Sequence, residues 1–389
     1  MEFLILLRNL INRFFYKIIL KQIFFRIDPE NMHDSMVSFG VLLGKYWLTR
    51  KIVGAFFSYS NKTLEQKILG IKFKNPIGLG AGFDKDAVLV DILPYVGFGF
   101  VEVGSITGEP CSGNPRPRLW RLKKSKGLVV NYGLKNEGCE KIAKRLLGKK
   151  FQVPVGISIA KTNSPKTVSD DAGINDYVKA FGKFVTIGDY FTINISCPNA
   201  FGGQPFTDAK RLHKLIGKID KISTKKPIFL KISPDLTHRQ VDRIIEVSKR
   251  HKVDGFVCTN LTSQRNNKRI VDRHVSKEGG ISGKVVEEKA NDLISYIYKK
   301  TKGRYVIIGL GGVFSAEDAY KKIKLGASLV QLITGMIFEG PQVISEINQG
   351  VVKLLKTDGL ENVSQAIGVD RQTIDPTSSS ELDFEGASS

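Results

Sequence analysis

The run Asn194-Ile195-Ser196-Cys197-Pro198-Asn199 sets a thiol between two side-chain amides. Amides offer donors and acceptors to a polar ring, and a thiol with an ordinary pKa near 8.5 becomes a base or nucleophile beside a cation. An isolated cysteine is more often a small buried hydrophobe, which suits Cys258 in its apolar run. Cys197 sits in a polar turn, where packing explains it less well. Gly80-Ala81-Gly82-Phe83-Asp84-Lys85 joins small residues, which let a flat ligand approach the backbone, to a cation. A lysine is usually a solvated surface group; its place beside Gly-Ala-Gly favours a ligand role for Lys85. Lys231-Ile232-Ser233-Pro234-Asp235 and Thr259-Asn260-Leu261-Thr262 add a second cation and a further amide. The turns Gly279-Gly280-Ile281-Ser282-Gly283, Gly309-Leu310-Gly311-Gly312 and Thr334-Gly335 have the composition of backbone cradles for phosphate.

These segments are placed by short apolar runs: Pro76–Gly80, Phe100–Gly104, Pro154–Ile159, Tyr190–Ile195, Pro227–Ile232, Gly255–Thr259, Tyr305–Leu310 and Leu329–Ile333. Runs that are apolar throughout suit parallel strands covered on both faces. Eight of them, with helical patterns between, predict an α/β chain folded as a (β/α)₈ TIM barrel, a fold of about 250 residues. A doubly wound open sheet is the rival. The barrel is favoured because the count is eight and polar residues follow the strand ends, which in a barrel share one catalytic rim. Glycine-rich turns after strands seven and eight are where such barrels bind phosphate. The residues alone therefore point to a barrel enzyme with a phosphorylated planar cofactor, a lysine near its ring and a thiol base across the substrate. No Walker A motif and no strand–GxGxxG–helix unit is present. The five histidines (His33, His213, His238, His251, His274) show no ligand spacing, so no catalytic metal is expected.

The 389 residues include 59 Lys+Arg against 38 Asp+Glu, a net charge of +21, with 42% hydrophobic and 25% charged residues. That composition excludes collagen-like, coiled-coil and wholly disordered chains. Four separated cysteines with no CxxC pair suit a reducing compartment rather than a disulfide framework. The first 26 residues are apolar but interrupted by Arg8, Asn9, Asn12, Arg13, Lys17, Lys21, Gln22 and Arg26, most of which gather on one side of a helix. The longest apolar run there, Phe3 to Leu7, is far short of the ~20 residues of a spanning helix. No small-residue cleavage site follows it. The pattern suits a helix lying in the membrane interface, its cations toward an anionic leaflet; a helix docked on its own domain is the alternative. A second helical stretch, Met32 to Trp47, continues the theme. The expected organisation is a helical membrane-association module (1–57), a barrel (58–357), a short extension (358–372) and a disordered acidic, Ser-rich tail (373–389).

The segments NPIGLGAGFDKD, GFVEVGSITGEPCSGNPRPRLWRL, INISCPN, KISPDL, CTNLT, GGISG, IIGLGGV and GASLVQLITG, in this order, resemble the dihydroorotate dehydrogenase family. The N-terminal Phe25-Arg26-Ile27-Asp28-Pro29-Glu30-Asn31-Met32-His33 looks like the entry to the helical module of its membrane-associated, quinone-using class (class 2). The resemblance implies oxidation of dihydroorotate to orotate through FMN in pyrimidine (UMP) biosynthesis, with quinone as acceptor. It implies FMN contacts for Ala81, Gly82, Phe83, Lys85, Ser105, Ser158, Asn194, Lys231, Thr259, Gly283, Gly312, Ile333 and Thr334. Lys85, Asn131, Asn136, Asn194, Asn199 and Asn260 would hold substrate, and Cys197 falls on the catalytic base. Nucleic acid is not expected as a partner. Residues 1–57 would make this a peripheral protein on an anionic membrane, at the cytoplasmic face of a bacterial cell. Three positions depart from the quinone class. Its members usually carry serine where Cys197 stands, as the soluble class does not; the loop Val129–Asn136 differs; and Ser158 replaces an asparagine. The alternatives are a soluble acceptor (fumarate or NAD), an FMN barrel that reduces tRNA, and a non-catalytic basic protein binding membrane or nucleic acid.

Overall fold

A computed structural model describes residues 2–372; the expected disordered tail, 373–389, lies outside them. Eight parallel strands close into a barrel: β1 (Ile77–Leu79), β2 (Phe100–Ile106), β3 (Val155–Ile159), β4 (Tyr190–Asn194), β5 (Ile228–Ile232), β6 (Gly255–Cys258), β7 (Val306–Leu310) and β8 (Leu329–Leu332). Each pairs with its neighbours in sequence, and β8 returns to β1 through Gln331↔Gly78. Every expected strand is present, so the barrel prevails over the open sheet. The barrel helices hold their apolar stripes against the strands. His238–Lys249, for example, begins with a Thr237/Gln240 capping box and buries Val241, Ile244, Ile245 and Ser248 at helical spacing.

The interior is filled in layers. At the bottom Phe100, Tyr190, Phe229, Val257, Ile308 and Leu329 are buried, and Phe73 plugs the mouth edge-on to Phe100 at 5.5 Å. Phe73 arrives on a two-stranded hairpin, Gln66–Ile68 with Ile71–Phe73. Glycine makes room for the large rings: a Cβ at Gly156 would stand 2.1 Å from the Tyr190 ring. Above this apolar layer lie the fully or nearly fully buried Glu102, Thr192, Lys231 and Gln331. Over the upper rim, Leu119–Leu122, Gly127–Val130 and Gly280–Ile281 form a small antiparallel sheet.

The N-terminal helices are α1 (Glu2–Phe14), continued by a π-helical stretch (Phe15–Leu20) and α2 (Lys21–Phe24), then α3 (Pro29–Lys45) and α4 (Trp47–Phe57). Pro29 at the first helical position and Asp28, which accepts from the N–H groups of Glu30 and Asn31, start α3. α1 is amphipathic as expected, but its polar face is turned inward. Arg8 donates to the carbonyls of Ala55 and Ser58 and to Ser345, and Asn12 donates to Phe56 O. Both thus satisfy carbonyls left open at the end of α4. Arg13 forks onto Glu346 at 2.9 and 2.7 Å, Lys17 pairs with Glu339, and Lys21 lies 5.2 Å over the Phe25 and Phe338 rings. Phe3, Leu4, Leu7, Leu10, Ile11, Phe14, Phe15 and Ile18 are exposed instead, continuous in kind with Phe39, Leu42, Trp47, Leu48, Ile52 and Phe56 on α3 and α4. Four of the five cations expected to face a leaflet are engaged by the protein itself. Among the described residues no helix is long and apolar enough to cross a membrane.

Candidate active site

The loops at the C-terminal ends of the strands enclose a cavity of about 1240 Å³, its open mouth included. From β1 come Ala81, Gly82, Phe83 and Lys85; from β2, Ser105; from β4, Asn194, Cys197 and Asn199; from β5, Lys231; from β6, Thr259 and Asn260. Gly283, Gly312, Ile333 and Thr334 line the far end. Gly283 has φ +83°, and a Cβ there would stand 2.2 Å from Lys126 O, so only glycine lets the chain pass. The amides are set by their surroundings. Asn194 Nδ2 donates to Ser105 Oγ at 2.9 Å while its Oδ1 accepts from Ser196 Oγ and N. Asn260 Nδ2 donates to Ser196 O at 2.7 Å, and Asn199 Nδ2 donates to Val130 O at 2.7 Å.

Three expected site residues do not line this cavity. Side chains alternate along a strand, so in Gly127–Val130 it is Leu128 and Val130 that face inward. Asn131 falls on the other side, donating to Glu278 Oε2 at 3.0 Å and accepting from Asn114 Nδ2 at 2.9 Å. Asn136 spends its amide on the loop, donating to Thr107 Oγ1 and Leu134 O and accepting from Gly138 N. Ser158 is buried behind Ser105, their Oγ atoms 2.8 Å apart, and so supports a residue that reaches the cavity.

The lining also includes residues that sequence reasoning passed over. His33, from α3, has Nε2 2.9 Å from Lys85 Nζ and packs edge-on to Phe83. Burial, then the Lys85 charge, pushes His33 well below its ordinary pKa, so the neutral ring accepts from the ammonium. Lys85 also lies 4.0 Å over the Tyr132 ring. His33 ends the Phe25–His33 segment, and a lone histidine without metal-ligand spacing carries no sequence signal that places it beside Lys85. Leu119, Leu128, Phe314 and Ile337 form an apolar wall; most of them belong to a cluster that Phe25 of the N-terminal module packs against. The module is tied down nearby by a buried Arg118–Glu30 pair, N–O 2.8 Å.

Charge is held at a cost here. Burial lowers Lys85 to about 8 despite Asp34, and lowers Lys231 despite Glu102. Burial pushes the Cys197 thiol up to about 11, against the Asn199 backbone N–H and the Lys231 and Lys161 cations. Among the described residues no cluster of three or more His, Cys, Asp or Glu could hold a metal.

A sequence profile of the family described as dihydroorotate dehydrogenase matches residues 63–355. The chain belongs to that family. It is 35% identical over 353 residues to a Gloeobacter violaceus protein named dihydroorotate dehydrogenase (quinone), covering 90% of this chain and 97% of that one. A Natronomonas pharaonis protein of the same name is 38% identical over 353 residues, covering 90% and 98%. Among solved structures, the dihydroorotate dehydrogenase of Eimeria tenella in complex with ferulenol superposes with a TM-score of 0.76 at 30% identity, covering 88% of this chain and 96% of that one. Its ligand-free form gives 0.76 at 31%, covering 88% and 99%. In the loop Val129–Asn136, Val130 rather than Asn131 faces the cavity, and the Tyr132 ring lies under Lys85.

Proposed function

We propose that this chain oxidises dihydroorotate to orotate with FMN as cofactor and a quinone as electron acceptor, a step of pyrimidine biosynthesis. The observation that carries the site assignment is the convergence of the Cys197 thiol, three amides and the ammonium groups of Lys85 and Lys231 on a single cavity, which Lys135 also lines. The donor set fits FMN. The Lys231 ammonium, with no hydrogen-bond partner among the described residues, lines the floor where a flavin ring would accumulate negative charge; Ala81 and Gly82 leave space for a flat ring; Gly283, Gly312 and Thr334 lie where barrels hold phosphate. Ile333, Ser105 and Thr259 complete that wall, with Ser158 behind. FMN held there would supply the hydride acceptor for the substrate and the electron donor for the quinone. Asn194, Asn199 and Asn260 orient the pyrimidine ring through its amide edges, and Lys85 faces its carboxylate. Cys197 removes the C5 proton. Asn131 and Asn136 act at one remove, holding the 129–136 loop.

The apolar wall below the N-terminal helices suits a quinone, and the outward apolar face of residues 3–56 suits lipid. We assign the chain to a membrane surface as a peripheral protein, on the cytoplasmic face of a bacterial cell membrane, bound through residues 1–57. The test is orotate formation with a soluble quinone analogue, with fumarate and with NAD. Turnover with the quinone alone is expected; turnover only with fumarate or NAD would overturn the acceptor assignment.

A further inference from the structure

Beneath the cavity floor the barrel interior holds a polar layer where packing alone would call for hydrocarbon. Glu102, fully buried on β2, reaches across the barrel: its Oε2 accepts from Tyr190 OH (3.3 Å), Thr192 Oγ1 (3.0 Å) and Gln331 Nε2 (3.0 Å). Receiving three donors on one oxygen is the pattern of an acceptor-only carboxylate. Its Oε1 has no partner, nor has Gln331 Oε1. On β5 Lys231 is 3% exposed, and among the described residues its ammonium has no hydrogen bond. Thr192, which donates to Glu102, and Asn194, whose Cα is in register with Lys231, stand two residues apart on β4 and so on one face, which sets Lys231 in the layer above the carboxylate. Glu102, and after it Cys197, favours the charged form of Lys231 against burial. A buried carboxylate and a buried ammonium without other counter-charges are each expensive alone. Together they leave the floor nearly neutral.

We propose that Glu102 is a positioning residue for the redox chemistry above it: its carboxylate balances the Lys231 ammonium and so limits how strongly that cation favours reduced flavin. The proposal rests on the FMN reading of the cavity. It deepens that reading, because Glu102 touches neither ring nor substrate and works through Lys231. Replacing Glu102 by Gln keeps the shape and an acceptor for Tyr190 and Thr192 but removes the charge. The uncompensated lysine then stabilises anionic reduced flavin more. It also loses its proton more readily, since burial already lowers its pKa.

The experiment is a spectroelectrochemical titration of the FMN-loaded wild type and E102Q between pH 6 and 9. At pH 6 E102Q is expected to favour reduced flavin at least tenfold more, a shift of about 30 mV for a two-electron couple. The advantage should shrink as pH rises, because removal of the Glu102 charge lets Lys231 give up its proton more readily than in the wild type. Superimposed potentials in flavin-loaded protein would overturn the proposal alone; failure to take up FMN would overturn the cofactor reading and the proposal with it. Thermal unfolding of the flavin-free proteins gives a second readout. E102Q should lose stability or fail to fold when Lys231 is present, and E102Q/K231M should recover it. If the double variant is no better than E102Q, the carboxylate serves the barrel rather than the lysine, and the proposal falls.

Discussion

Cys197 and Lys85 should leave opposite signatures in one pH profile. The thiol must lose its proton to act as a base, and burial sets it at about 11; the ammonium must keep its proton to attract a carboxylate, and burial sets it at about 8. At pH 7 only about one molecule in 10⁴ would carry the thiolate, rising tenfold per pH unit. The second-order constant for flavin reduction by dihydroorotate, kred/Kd, reports the free protein. It should therefore climb tenfold per unit up to pH 8. From there to about 11 the gain in thiolate is offset by the loss of ammonium, and the profile flattens. The variants separate the limbs. Cys197→Ala should fall by about 10²–10⁴, the usual worth of a positioned base, and lose the rising limb, keeping only the decline above pH 8. Lys85→Met should bind substrate more weakly yet continue to climb past pH 8. Stopped-flow bleaching of the flavin, with flavin content checked in each variant, supplies the data. A flat wild-type profile between pH 6 and 8, or Cys197→Ala within tenfold of wild type, would refute the thiolate reasoning.

Lys85→Met should also stabilise the flavin-free protein at neutral pH. A lysine lowered from 10.5 to about 8 makes the unfolded chain bind more protons between those values, so its cost, on the order of 3 kcal/mol, is full below pH 8 and disappears toward 10.5; equal melting temperatures of the two proteins at pH 7 would contradict this. Glu30→Gln strands Arg118 in a buried site and should cost about 3–5 kcal/mol at pH 7. Burial pushes Glu30 up, but Arg118, Arg116 and Lys135 hold it below the usual carboxylate range, so that penalty should shrink as acid protonates the wild-type residue, as read by urea unfolding at pH 7 and pH 3. Gly283→Ala, forced against Lys126 O at positive φ, should strain the cofactor loop by about 1–3 kcal/mol and lower bound FMN, measured by flavin absorbance per protein. Vesicle cosedimentation should persist on zwitterionic lipid and at 0.5 M salt, because the outward face is apolar and the cations are engaged; binding lost with salt would restore the electrostatic reading.

The strands were legible because a parallel strand buried on both faces leaves a plain signal, an apolar run ending at a polar turn. Lys231 and Asn194 could be placed because they stand at those ends, and the fold carries every such end to one rim. What failed was the side chain's direction. Asn131 follows Val130 by one residue, and a one-residue difference in a strand is a change of face; nothing in Val129-Val130-Asn131 states which face the barrel will cover. Asn136 and Ser158 stand off the cavity for another reason, since their partners Thr107 and Ser105 are distant in sequence and claim their polar atoms. Glu102 did carry a signal. A carboxylate inside Phe100-Val101-Glu102-Val103 must be paired or costly, a signal that the apolar pattern of the run masks.

The N-terminal helix shows the same limit at larger scale. Its periodicity identifies two faces but not which of them meets protein, because amphipathicity has an axis and no sign. For a helix on a water-soluble domain the apolar face goes inward. α1 does the reverse because what it meets is polar: open carbonyls at Ala55, Phe56 and Ser58, the Ser345 hydroxyl, and the carboxylates of Glu339 and Glu346. Leaving Phe3, Leu7, Phe14 and Ile18 outside is unfavourable in water, at roughly 25 cal/mol for each Å² of apolar surface exposed. An apolar surface laid against these side chains removes that cost, and the inward ion pairs together with the outward side chains suit the lipid surface proposed above. Part of the excess positive charge that suggests a basic membrane address thus holds the helix to its own domain, and the membrane binding we propose rests on the hydrocarbon left uncovered.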